Sequence, residues 1–491
     1  MNETPLSFGI CGSGTAGLIS SIMLRSAFPQ AKITIISSSE VGIVGVGEGS
    51  TEHWRTMMTR CDIPLLEMMA ETKATHKYGI RFENWSTAFP DYLHSVSGDE
   101  EVFMWRIYAV YSKLIADGKL LTNNTGSVGL FTDKISKKHM HNATNQYHFD
   151  TFKLNEYFRN VAARRRIGFI EGFIEKVNLN PEQGHIESVE LKSGKTVSAD
   201  FWIDATGFQR ILSKALGNTE WESFSKYLLA DSAFAFPTEK DESGKIRTYT
   251  RARALSSGWM WEIPTQERRG NGYVYSSAFL SQEDALKEAS QTLGIDISPA
   301  RTFKFDPGHL KTPWVKNCLT VGLASSFVEP LEATSIGSTI LQMDQIMPFL
   351  GSYKHGHSAS QKLINKNFNI MMDNILIMIR LHYMSDRRDT EFWRATAEMP
   401  VNDSLQELLD LWQETTLPRD HISSNHGEMF QLAHLLHVAQ GQNVISTEPI
   451  GRMFQNFGTI DWALKEISNV RNTRLTEELV DHAEALNEIY N

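Results

Sequence analysis

Leu6-Ser7-Phe8-Gly9-Ile10-Cys11-Gly12-Ser13-Gly14-Thr15-Ala16-Gly17-Leu18 is the stretch that decides the fold. The apolar run 6–10 predicts a strand, residues 18–27 carry helical spacing, and after Pro29 the run 33–36 predicts a second strand. A strand, a glycine turn and a helix start bring backbone N–H groups and the positive end of a helix dipole against a pyrophosphate. The glycines permit the close approach. Gly12, Gly14, Thr15, Ala16 and Gly17 are therefore the candidate dinucleotide contacts. An acid is expected at the end of the second strand to hold a ribose. That strand instead ends at Ser37, and the first acid is Glu40. Either Ser37 donates the ribose hydrogen bond or Glu40 reaches back to it; a solvated loop acid is the plainer reading of Glu40.

Working outward, the 491 residues predict two to three domains or one large domain with an added module. Net charge is −10, from 48 basic against 58 acidic residues, so the chain lacks the basic surface that recruits nucleic acid by counterion release. Cys11, Cys61 and Cys318 are scattered and form no Cys-x-x-Cys, which argues against a disulfide framework or a metal site. A reducing cytoplasm fits this usage. The N-terminus shows no secretion-signal pattern. The apolar stretch 370–381 is broken by Asp373, Asn374 and Arg380 and is too short to span a bilayer, which needs roughly 20 apolar residues. It predicts a buried helix, and no membrane association.

Residues 169–207 predict a three-stranded meander with turns at Asn180-Pro181-Glu182-Gln183-Gly184 and Ser193-Gly194-Lys195. It ends in Phe201-Trp202-Ile203-Asp204-Ala205-Thr206-Gly207. A buried strand closing on small residues lets backbone pass near a cofactor, which makes Asp204 and Gly207 further candidates. Beyond about residue 338 the pattern turns to helical periodicity with charged faces. Two parts are expected: a core over 1–340 and a mostly helical module over 341–491. The Ser- and His-rich stretch 351–360 predicts a loop, with His355 and His357 exposed rather than metal-binding.

Four further segments, taken with the glycine loop, resemble the flavin-dependent halogenases, and they fall in that family's order along nearly the whole chain. Val46-Gly47-Glu48-Gly49-Ser50-Thr51 is similar to the loop that straps over the flavin, which implies cofactor roles for Gly47 and Glu48. Thr75-His76-Lys77-Tyr78-Gly79-Ile80 resembles the segment carrying the family's essential lysine, here Lys77. Without the resemblance, a lone lysine in such a strand reads as a rim residue with its ammonium in water.

Trp259-Met260-Trp261-Glu262-Ile263-Pro264 resembles the tryptophan run that keeps substrate off the flavin. Its alternate tryptophans face one side, and Trp259, Trp261 and Pro264 are the separating residues; a core strand with two large side chains is the bland alternative. Gly322-Leu323-Ala324-Ser325-Ser326-Phe327-Val328-Glu329-Pro330-Leu331-Glu332-Ala333-Thr334-Ser335 is similar to the segment that supplies the catalytic carboxylate, here Glu332. The match also implies flavin contacts at Gly322 and Leu323, and a halide site at the amides of Thr334 and Ser335. Ala333 replaces the usual Ser, and Ser335 stands where the stricter motif has Gly. A helix N-cap is the simple alternative for Glu332. His382-Tyr383 and the segment from Arg387 to Trp393 look family-like and structural.

The resemblance implies an α/β (α+β) FAD-binding, Rossmann-like flavoprotein monooxygenase fold with a helical C-terminal module. Reduced FAD from a separate flavin reductase, oxygen and halide would yield hypohalous acid, which travels internally to Lys77 and meets an electron-rich aromatic ring, free or carrier-bound. Lys77 holds the acid by hydrogen bonding or as a haloamine, while Glu332 polarises it or takes the ring proton. The competing expectations are a flavin hydroxylase, marked by halide-independent oxygenated product, and a non-catalytic flavin-binding protein. A homo-oligomer is left open.

Overall fold

The computed structural model describes residues 5–42, 48–96, 107–125, 128–137, 146–241, 243–351, 353, 358–414, 428–456, 465 and 478–490. The opening unit forms as its pattern predicts, with strand Ser7–Cys11, helix Thr15–Ala27 and strand Lys32–Ser37. The two strands run parallel, Ile10 beside Ile35. On the other side Ser7–Cys11 runs parallel to Phe201–Asp204, which runs parallel to Cys318–Thr320. Gly168–Glu171 and Trp314–Val315 complete this six-stranded sheet at its two edges. Its inner strands are covered on both faces, so their side chains are apolar almost throughout: Ile10, Ile35, Ile203 and Leu319 have no exposed surface.

The predicted meander is split between two sheets. Gly168–Glu171 joins the parallel sheet, whereas Ile174–Leu179, Ile186–Leu191 and Thr196–Ser198 form a separate antiparallel sheet. The chain bends at Gly172, whose N–H is donated to the Ser37 carbonyl. A Cβ there would lie 2.8 Å from the end of the Leu191 side chain, so glycine lets the corner pack without moving that side chain. Phe201–Asp204 then returns to the parallel sheet instead of extending the meander.

A second, seven-stranded sheet runs in the order Arg301–Lys304, Ser232–Glu239, Arg268–Tyr275, Gly258–Pro264, Tyr249–Ala254, Gly79–Glu83, Asp91–Ser95. Between the two large sheets lies a small one, in which Gln146–Phe149 is flanked by Glu48–Gly49 and Thr75–Lys77. Lys77 is therefore the last residue of the small sheet, two positions before the chain enters the large one.

The C-terminal region is helical, as expected, with helices including Thr334–Leu350, Ser358–His382, Glu391–Glu398, Asp403–Glu414 and Leu432–Gly441. One apolar cluster joins Phe82, Trp259 and Val274 of the seven-stranded sheet to Leu376, Leu381, Trp393 and Leu436 of these helices. Residues 370–381 form the inner part of Ser358–His382. The polar interruptions there have partners: Asn374 accepts the N–H groups of Met429 and Phe430, and Arg380 donates to the carbonyls of Thr396, Met399 and Pro400. No helix among the described residues is long and apolar enough to cross a membrane. The predicted loop 351–360 gives way to helix at Ser358, and His355 and His357 lie outside the described residues.

Candidate active site

The glycine loop closes on itself by contacts that exclude side chains. Gly12 has φ +108°, and a Cβ on it would come within 2.2 Å of the Ala205 carbonyl; one on Gly17 would come within 2.1 Å of the Gly12 carbonyl. Gly14, the residue before the helix, has nothing within 4 Å of its missing Cβ. The first turn of Thr15–Ala27 therefore has open space beside it at the carboxyl ends of the parallel strands, an arrangement whose free N–H groups favour an anion. Arg159 from the neighbouring helix donates to the Ser13 hydroxyl at 3.0 Å, and Asn155 donates to that of Thr15 at 3.1 Å. Gly322 approaches the loop from the opposite side, its missing Cβ 2.6 Å from the Ala16 methyl, and Leu323 follows half-buried.

Asp204 is fully buried and turned into its own chain. It accepts the N–H and hydroxyl of Thr206 and the N–H of Ser213, and so holds the Ala205-Thr206-Gly207 turn in place. Burial raises its pKa and these bonds oppose the rise. Ser37 is half-buried at the end of the second strand and Glu40 is exposed beyond it. Glu48 and Gly49 pair with Phe149 and His148. Gly47 and the Glu48 side chain lie outside the described residues.

Lys77 is 1% exposed, not a rim residue. Its Nζ donates to the Ser50 carbonyl at 3.2 Å. Burial brings its pKa down from 10.5 to about 8, with the negative charge of Glu332 opposing the fall. His148, fully buried nearby, is pushed well below its ordinary range by burial and then by the Lys77 charge.

Glu332 sits on a tight turn ahead of helix Thr334–Leu350, with φ +65° at Glu332 and +56° at Ala333. Ala333 is the N-cap and Glu332 does not cap the helix. Its carboxylate points inward, with Oε1 2.8 Å from His94 Nδ1 and 3.1 Å from His382 Nε2. Burial would raise its pKa, but the two imidazoles outweigh burial and hold it below the usual carboxylate range. His382, which the sequence marked as structural, thus belongs to this site. Thr334 is buried and Ser335 exposed at the start of the following helix, where unpaired amides favour an anion.

Trp259 and Trp261 share one face of their strand, with ring centroids 6.0 Å apart. Trp261 lies across Gly272, where any Cβ would meet its ring at 2.1 Å. The Trp259 N–H is donated to Glu329, which also accepts the Tyr383 hydroxyl at 2.6 Å. Burial raises Glu329 to about 7 against these two donors. Pro264 ends the strand, its carbonyl accepting the Thr75 hydroxyl at 2.8 Å.

The sequence offered little sign of His94, Ser50, Arg159 or Glu329 as site residues. Glu329 and Ser50 stood inside quoted segments, but only the folded chain turns them toward Trp259 and Lys77. His94 stands in the mixed strand Asp91–Ser95, whose pattern gives no sign of a site residue. An open cleft of about 1020 Å³ between the C-terminal helices, bordered by Lys362, Asp373, Glu407 and Phe430, touches neither Lys77, Glu332 nor the glycine loop. No metal-binding cluster occurs among the described residues.

The geometry agrees with what the chain is similar to. Among curated proteins, Tryptophan 7-halogenase RebH of Lentzea aerocolonigenes is 29% identical over 443 residues, covering 82% of this chain and 81% of that protein. 7-chloro-L-tryptophan 6-halogenase KtzR of Kutzneria sp. (strain 744) is 30% identical over 451 residues, covering 83% and 85%. Among solved structures, Xcc4156, a flavin-dependent halogenase from Xanthomonas campestris, superposes with a TM-score of 0.84 at 29% identity, covering 99% of each chain. BrvH, a flavin-dependent halogenase from Brevundimonas sp. BAL3, gives 0.83 at 27%, covering 99% and 100%. With a tryptophan halogenase family model matching residues 7–456, this chain belongs to that family of flavin-dependent enzymes.

Proposed function

We propose that the protein halogenates an electron-rich aromatic of indole or phenol type through Lys77 and Glu332. The observation that carries this reading is a buried ammonium, lowered to about 8, beside a carboxylate kept ionised by two imidazoles. Reduced FAD, when bound at the glycine loop with oxygen and halide, supplies hypohalous acid. Gly12, Gly14, Thr15, Ala16 and Gly17 would hold its pyrophosphate, with Gly207, Gly322 and Leu323 bordering the same space and Asp204 organising it. Gly47 and Glu48 would strap over it, and Ser37 or Glu40 would meet the ribose. The amides of Thr334 and Ser335 are the proposed halide donors. Trp259, Trp261 and Pro264 would wall the aromatic substrate away from the flavin.

Lys77, charged below about pH 8, donates to the hypohalous oxygen and fixes the electrophilic halogen toward the ring. Halogen bonds to a ring carbon as the halogen–oxygen bond breaks; the oxygen leaves as hydroxide, which takes a proton from the Lys77 ammonium to become water, and Lys77 regains a proton from solvent before the next turnover. Glu332 then takes the proton from that carbon, restoring aromaticity. The core over 1–340 would carry this chemistry and the helical module over 341–491 would cover the substrate. A separate flavin reductase is the proposed partner. Lys77→Ala tests the reading: FAD binding should persist while halogenated product disappears, and a variant that still halogenates would overturn the assignment.

A further inference from the structure

A proton accepted by Glu332 starts in a closed interior, since neither Glu332 nor His94 has side-chain exposure above 2%. From Glu332 a line of titratable groups leads outward. Glu332 Oε1 is 2.8 Å from His94 Nδ1, and His94 Nε2 is 2.9 Å from His434 Nδ1. His434 Nε2 is 3.8 Å from Glu52 Oε2. Side-chain exposure rises along this line, from 0% at His94 to 10% at His434 and 44% at Glu52. Three elements far apart in sequence supply it: strand Asp91–Ser95, helix Leu432–Gly441 and the N-cap of helix His53–Arg60.

We propose that His94, His434 and Glu52 form a proton relay that carries the ring proton from Glu332 to solvent. This rests on the functional reading above. The protonated Glu332 faces His94 in its Nε2–H tautomer: the O–H bond on Glu332 breaks as an N–H forms at His94 Nδ1, which restores the donor to the ionised carboxylate; the Nε2–H of His94 breaks as one forms at His434 Nδ1; the Nε2–H of His434 breaks as an O–H forms on Glu52. One proton leaves Glu332 and one arrives at Glu52, which passes it to water. The exposed Glu52 carboxylate closes the last 3.8 Å by rotation or through one water. The rings then turn back to their starting tautomers.

The surroundings keep this line distinct. His94 faces Glu332, His434, His382 and, at 5.8 Å between rings, His437. His437 is held by Thr122 and Tyr111 and branches away from the exit. His434 faces His94, Glu52 and the Phe430 ring, and His53 stands beside Glu52. Burial lowers the pKa of His94, so the positive charge is carried in passing rather than stored.

The test uses the full-length enzyme with chemically reduced FAD, bromide and oxygen. Its substrate is the best-converted member of a panel of indoles, phenols and anilines, with rates read in light and in heavy water. His434→Phe should lower turnover about tenfold and raise the light-to-heavy-water rate ratio above the wild type's, because the proton transfers that reset Glu332 become slow. Glu52→Gln, at the surface, should move both readouts the same way. Added imidazole should restore His434→Ala. Unchanged isotope ratios in all variants, or losses that imidazole leaves untouched, would overturn the relay alone. A wild type that makes no halogenated product from the panel would overturn both the relay and the reading on which it rests.

Discussion

The Lys77 ammonium and Ala333, the neighbour of Glu332, both border Gly49: a methyl there would lie 3.2 Å from Lys77 Nζ and 3.6 Å from the Cβ of Ala333. Gly49→Ala should therefore displace the ammonium by a few tenths of an ångström without disturbing the pairing of its strand. Turnover should fall roughly tenfold at unchanged FAD affinity, the order expected for sub-ångström misplacement of a reacting group. Steady-state kinetics beside a flavin titration check this, and an unaltered rate would show that Nζ tolerates a different position.

The depressed pKa of Lys77 gives activity and stability opposite pH slopes. Activity that depends on the ammonium should decline as pH rises through about 8. Between about 8 and the ordinary 10.5 the folded chain binds fewer protons at this site than the unfolded chain. The cost of burying the charge, roughly 3 kcal/mol, therefore fades across that window and this group's contribution to stability improves with pH. A pH–rate profile of halogenation should show the decline, and Lys77→Met should lose the stability slope.

Glu332→Gln keeps shape and hydrogen bonding while removing the base. Turnover should drop by about 10²–10⁴-fold with substrate affinity retained. Rapid-quench kinetics with a substrate-binding measurement separate the two effects, and a variant turning over at the parent rate would deny Glu332 its role.

Trp259→Phe should destabilise the protein by about 1–3 kcal/mol, because Glu329 loses one of the two donors that offset its burial. Trp259→Ala adds a cavity and should cost about 3–5 kcal/mol. Thermal unfolding of the three proteins orders them, and equal midpoints for the parent and the Phe variant would mean the indole N–H contributes nothing.

Consecutive left-handed residues at Glu332 and Ala333 suggest a further variant. Ala333→Gly removes the Cβ strain and should raise stability by about 0.5–1 kcal/mol. A lower unfolding midpoint would indicate that the alanine methyl packs usefully.

Much of the fold was legible because local pattern and tertiary structure agree: the apolar–glycine–helical pattern of residues 6–27 and the run 33–36 each became the element they predict. The meander was misdivided because the chain bends at Gly172 between two sheets, its N–H donated to the Ser37 carbonyl, a long-range partner that no local pattern encodes. At the site, Lys77 and Glu332 were visible through motif resemblance. The imidazoles on Glu332 were not, since His94 and His382 are separated from it by 238 and 50 residues and meet it only through packing. Without the resemblance the burial of Lys77 is hidden too, because a strand-end lysine is ordinarily solvated.

Halogenation of an aromatic ring by this chain should depend on Lys77. Chemically reduced FAD, oxygen and chloride, bromide or iodide, supplied without any reductase to a panel of indoles, phenols and anilines, tests it most directly with product mass as the readout. The parent protein should give halide-dependent monohalogenated product and Lys77→Ala none. Oxygenated product that forms without halide, or halogenated product that survives the loss of Lys77, would contradict it.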